Sequence, residues 1–171
     1  MVLLELQPGH LPHPGRWERR IKALNRSLPF DIPIIGGGGS IGNAVENKIL
    51  DHLVENATYA APDPYLGLWT SAVDDTSTAA TAGEANYTGY ARVAITSALM
   101  SAAAAGAVTN DAEIVFGACT AGDDTVTHWM LCSSASGAGD NIAWGTCTST
   151  LIDTTHTPPT VAVGGLDITL D

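Results

Sequence analysis

The chain has 171 residues, 45% of them hydrophobic and 15% charged, with a formal charge of −11. That size and composition suit one folded domain with a core, and they argue against disorder, a long coiled coil or a two-domain protein. An acidic body repels phosphate backbones, no apolar run reaches the about 18 residues of a membrane span, and Met1–Leu6 is too short for a signal peptide; nucleic acid and membrane are therefore not expected as partners, and synthesis in the cytoplasm is.

Residues 1–39 differ from the rest of the chain. They hold five of the nine prolines and five of the seven basic residues (Arg16, Arg19, Arg20, Lys22, Arg26), and they end in the run Gly36–Gly39. This composition predicts an extended arm on a glycine hinge, with the domain proper occupying 40–171. Within the arm, Trp17, Ile21, Leu24 and Leu28 are spaced as one side of a short helix over Trp17–Leu28. Asn43 and Glu46 have the spacing of a capping box, and Val45, Ile49 and Leu53 come at intervals of four, so a helix is expected from Asn43 to about Glu55.

Pro62 and Pro64 then stop helical structure and introduce a strand over Tyr65–Thr70. Residues 72–89, rich in Ala, Thr, Asp, Ser and Gly, predict an exposed, adaptable loop. Beyond it, Ala91, Val93 and Ile95 alternate with Arg92 as a strand with Arg92 in water, and Ala112–Phe116 forms a further strand. Thr125–Cys132 and Ile142–Cys147 are joined through Ser133–Asp140 as a loose hairpin. Leu166, Ile168 and Leu170 predict a closing strand. The expected fold is mostly β: a small antiparallel β-sandwich preceded by one α-helix and the extended arm.

Several residue sets invite chemistry. Gly37, Gly39 and Gly42 satisfy G-x-G-x-x-G ahead of a helix, which in a parallel βαβ unit would cradle a dinucleotide, with Asp63 at the distance of a ribose-binding acid. Pro33 splits the preceding strand and no alternating strand and helix units come after it, so a hinge is the better reading and the dinucleotide-binding enzyme an alternative. The pairs Asp74-Asp75 and Asp123-Asp124 suggest calcium or glycoside chemistry, or solvated turns. His10, His13, His52, His128 and His156 lie in no metal or triad spacing, and His128 reads as a core or interface residue. Cys119, Cys132 and Cys147 read as buried free thiols. No catalytic residue, cofactor or metal is assigned.

The stretch Asn43–Leu53, then Tyr65-Leu-Gly-Leu-Trp-Thr-Ser71, Gly89-Tyr-Ala-Arg92, Val126-Thr-His-Trp129, Trp144-Gly145 and Gly165–Asp171 resemble, in order, a family of small tailed-phage virion proteins labelled tail-fibre proteins. The resemblance covers about residues 40–171. It implies a β-rich virion subunit without enzymatic activity, assembled with other virion proteins and with copies of itself, on the tail or as a capsid decoration. Docking is then expected through the arm residues Arg16, Trp17, Arg19, Arg20, Ile21 and Leu24, since Trp and Arg commonly dominate interface energetics. The alternative is a module that binds a host surface glycan or receptor by stacking sugars on exposed Tyr87, Tyr90, Trp129 or Trp144.

Overall fold

The computed structural model describes residues 40–156 and 158–169. In chain order the elements are β1 (Ser40–Ile41), α1 (Asn43–Val54), β2 (Tyr65–Trp69), β3 (Val93–Ala94), β4 (Ala107–Thr109), β5 (Ile114–Val115), β6 (Asp124–Cys132), β7 (Asn141–Ile152), β8 (Thr160–Val161) and β9 (Asp167–Thr169). All strand pairings among them are antiparallel. A five-stranded sheet runs β1-β7-β6-β2-β3, and two ribbons, β4–β9 and β5–β8, stand apart from it.

Register explains why this sheet has two buried faces. Leu66 and Leu68 of β2 lie beside Leu131 and Trp129 of β6, which lie beside Ala143 and Gly145 of β7. Side chains alternate along a strand, so these six positions share one face. The ribbons cover that face: Ile114, Phe116, Val161 and Leu166 join Leu66, Leu68, Val126, Trp129 and Leu131 in one core. The opposite face carries Trp69, Met130, Cys132 and Trp144, over which Val73 and Ala79 of the long loop pack. Leu66 through Trp69 are consequently all buried, as expected for a strand covered on both sides.

One glycine in the sheet is set by a close approach. A Cβ on Gly145 would stand 2.7 Å from the Trp129 indole, so only glycine lets that ring lie flat across the neighbouring strand. A mostly β sandwich with one helix is therefore the fold, and the hairpin between β6 and β7 closes through a hydrogen bond from Ser133 N to Asp140 O.

Four expectations need correction. The capping box does not form: the N-cap is Gly42, in extended conformation and without a side-chain cap. β1 leads into the helix with no intervening room, so Gly42 N bonds Ile142 O at 3.3 Å and Asn43 N bonds Asp75 O at 3.0 Å. These backbone carbonyls satisfy donors that a cap would otherwise meet. Arg92 does not face water; it is 7% exposed, while Ala91 is exposed and the strand there shortens to Val93–Ala94.

The loop over 72–89 is not loosely exposed, since Val73, Ala79, Ala85 and Tyr87 are buried in it. β7 extends to Ile152, well beyond Cys147, and β1, β4 and β8 were not anticipated. The closing strand is present, with Leu166 fully buried just before it and Ile168 packed on the core; Leu170 lies outside the described residues.

Candidate functional site

The residues that composition marks for chemistry are largely spent on holding the fold together. Tyr87 and Trp129 are 3% and 5% exposed, so neither presents a ring to a sugar. Tyr87 donates its hydroxyl to Gly117 O at 3.0 Å, meets Tyr90 edge-on with centroids 5.5 Å apart, and Tyr90 in turn stacks on Phe116. Burial pushes the Tyr87 phenol up to about 12 and raises Tyr90 as well. Half-buried Trp144 donates Nε1 to Asp75 at 2.8 Å. The exposure that a stacking role requires is thus absent at Tyr87 and Trp129 and reduced at Tyr90 and Trp144.

The carboxylate pairs are likewise committed. One oxygen of Asp74 accepts from the backbone N–H and hydroxyl of both Thr76 and Ser77. The Thr76 bonds foremost hold this exposed carboxyl below its usual range. Asp75 takes the Trp144 indole, and Asp124 accepts from Asn86 N and Tyr87 N at 2.6 and 2.8 Å. Asp123 stands exposed, as Asp74 does. Among the described residues no group of three or more His, Cys, Asp and Glu side chains is placed to hold a metal.

The histidines are scattered. His52 bonds Ala57 O at 2.7 Å below α1, and His156 sits 2.7 Å from Asp153 in a loop. His128 lies in β6 against the Thr127 hydroxyl at 2.8 Å, its imidazole pKa lowered by burial. The cysteines are free, with Cys119 and Cys132 buried and Cys147 half-buried. Burial pushes Cys132 up to about 12 and Cys147 to about 11.

The glycine motif has a different context from a nucleotide fingerprint. Its described part, Ser40–Ile41, pairs antiparallel with β7, whereas a dinucleotide site needs a parallel βαβ unit. A Cβ on Gly42 would strike the backbone carbonyl and side chain of Asn141, which supplies a packing reason for that glycine. Asp63 lies in an irregular segment before β2. Gly37 and Gly39 fall outside the described residues.

One group went unanticipated. Arg92 makes a fork with Glu84, Nε to Oε1 and Nη2 to Oε2, both at 2.7 Å. It also donates to Ala79 O, Gly137 O and both the carbonyl and hydroxyl of Ser134, at 2.8–3.1 Å. The guanidinium lies 5.7 Å from the Trp69 ring centroid, and Tyr90 donates its hydroxyl to the same Glu84. Two loops meet at one cation. The acid-base fork eight residues apart was visible in the sequence; the carbonyls came from loops whose positions only the fold defines.

The surface with a binding geometry is instead apolar and lies beside α1. A groove of about 290 Å³ is lined by Ile41, Val45 and Ile49 together with Val108, Leu131 and Ile168. Only Val45 of α1 is buried, while Leu50, Leu53 and Val54 are 56%, 71% and 77% exposed. The arm residues Arg16, Trp17, Arg19, Arg20, Ile21 and Leu24, expected to dock, lie outside the described residues.

Comparison with known proteins gives one family. The family model described as Podophage GP4 fiber I protein gp80 matches residues 40–169, the extent of the body built from β1 through β9. No curated protein matches the chain.

Proposed function

We propose an exposed, non-catalytic subunit role, of the tail-fibre or capsid-decoration type, for this chain, which belongs to the family of the podophage GP4 fiber I protein gp80. Membership makes it a phage fibre-type protein and so a structural component of the virion, associated with other virion proteins. The observation that carries the reading is the extent of the match, since it takes in the whole described body from residue 40 to residue 169. A β-sandwich whose Tyr87, Trp129 and Arg92 side chains serve the core and internal bonds suits a rigid surface subunit.

Attachment through the N-terminal arm, and assembly with further copies, complete the proposal. Residues 40–171 hold 15 acidic and two basic side chains, a formal −13, whereas residues 1–39 hold three acidic and five basic ones, a formal +2. A basic arm on an acidic body is fitted to an acidic surface on a neighbour. Arg16, Arg19 and Arg20 supply the charge, and Trp17, Ile21 and Leu24 supply apolar area. Trp17→Ala with Arg20→Ala is expected to abolish incorporation into particles while leaving the subunit soluble. Normal incorporation of that variant, measured by quantitative mass spectrometry of purified particles, would sink the attachment role.

A further inference from the structure

We infer that the apolar groove beside α1 seats the same chain's arm segment Trp17–Leu28. Its stripe of Trp17, Ile21, Leu24 and Leu28 would lie along Ile49 and Leu53. The inference takes from the attachment reading only the arm itself; it turns Trp17, Ile21 and Leu24 onto the chain's own body and leaves Arg19, Lys22 and Arg26 to meet the neighbour.

The groove needs a cover. α1 is a helix of 12 residues with one buried side chain, and an isolated helix of that length is marginal in water, so packing must hold it. Val45, Ile49 and Leu53 recur at intervals of four and so lie along one side of the helix. Only the first of them is fully covered within the described residues. Next to that side the groove continues over Leu131, Val108 and Ile168. Water is left against contiguous apolar surface that stabilises nothing until something displaces it.

The arm has the matching dimensions, chemistry and tether. Trp17–Leu28 spans 12 positions, as α1 does, so a helix there is about 18 Å long, as long as α1 itself. Its four apolar residues form the stripe that such a seat requires, and a single Trp buries roughly 150–250 Å². Ile41 lines the groove, so the arm joins the body at the groove's own rim. Residues 29–39 form the connection, which reaches up to about 36–40 Å when extended. A tether that short keeps the segment at high effective concentration near its own body, which favours this occupant over one from another molecule.

Charge agrees with the same placement. At 100° per residue Arg19, Lys22 and Arg26 fall opposite the stripe and Arg16 and Arg20 fall beside it. Around α1 stand Glu46, Asp51 and Glu55, whereas the helix's Lys48 is already paired with Asp140. Of these, Glu46 borders the Val45, Ile49 and Leu53 side of α1, so seating the stripe brings Arg16 and Arg20 toward that carboxylate. Arg19, Lys22 and Arg26 are left outward for the acidic partner surface.

The test is a thiol pair in the full chain, Leu24→Cys with Leu53→Cys. Leu53 is 71% exposed, so its replacement leaves the body folded, and the three native cysteines are buried or half-buried. After mild oxidation, intact mass and peptide mapping are expected to find the two introduced thiols joined within one monomer-mass chain. The yield should exceed that of the pair Arg19→Cys with Leu53→Cys about tenfold, because position 19 faces away. No bond, bonds only between chains, or equal yields from both pairs would each overturn the inference, the last by showing collision without seating. Particle incorporation is read separately. It uses the wild-type chain, whose absence from particles overturns the attachment reading and leaves this one standing.

Discussion

The loop of residues 72–92 and the helix α1 exchange the characters that their compositions suggest. The loop is built of small polar residues, yet it is wired to the sheet: Thr70 N and Ala85 N bond Gly83 O and Leu68 O, Trp69 donates Nε1 to Thr81 O, and Arg92 draws in carbonyls from residues 79, 134 and 137. The helix carries an apolar periodicity and buries one side chain. A segment is thus held by the partners that the fold brings to it. Polar residues order a loop when every buried donor finds an acceptor, and apolar residues order a helix only where a second surface meets them.

The Arg92 cluster offers the largest way to break this contrast. Arg92→Met removes a cation whose side chain is 1% exposed and leaves Glu84, a quarter exposed, without its fork. Breaking a buried pair by removing one partner costs about 3–5 kcal/mol. Denaturant unfolding should therefore show a loss of that size, and a loss under about 1 kcal/mol would mean that the loop is held by something else. Next comes Gly145→Ala, whose Cβ meets the Trp129 ring at 2.7 Å. Overpacking of this kind costs about 1–3 kcal/mol, read in the same experiment together with a changed near-ultraviolet signal from the displaced indole.

Smaller still is Trp144→Phe, which keeps an aromatic ring beside Val73 and Met130 but deletes the donor to Asp75. A single hydrogen bond contributes about 1 kcal/mol, and the equilibrium loss should be close to that. The smallest effect is electrostatic and lies outside both regions. Bonds from Thr155, with His156 adding to them, hold the partly exposed Asp153 carboxyl down to about 2. A depressed folded pKa stabilises above the unfolded value near 4 and loses that contribution as pH falls through about 2. Asp153→Asn should therefore melt slightly below wild type at pH 5, with the difference closing as the pH approaches 2.

Much of this fold was legible in the sequence because it rests on period and length. β6, β7 and α1 announce themselves by apolar and aromatic content or by intervals of four, and the prolines at 62 and 64 mark where β2 begins. Arg92 misled because alternation assigns it to the solvent side of a strand, and alternation says nothing about a loop folding back to supply carbonyls. β4 and β8, with three and two residues, are too short to show any period and exist by pairing with β9 and β5.

The aromatic candidates misled for a related reason. Tyr and Trp side chains suggest recognition, yet Trp129, on an expected strand, becomes a core residue through the register that sets Gly145 beside it, and no single-strand pattern contains that register. The apolar groove was the least legible feature, because its walls come from six separated stretches of chain. Only Val45 and Ile49 among its lining residues belonged to a recognised helical stripe.

Detection of the chain in purified phage particles tests the central claim most directly. Particles separated from lysate on a density gradient should contain it at a fixed copy number relative to the major capsid protein, and an antibody to residues 40–171 should label intact particles from outside. A chain abundant in the lysate but missing from the purified particles would contradict the virion-subunit account.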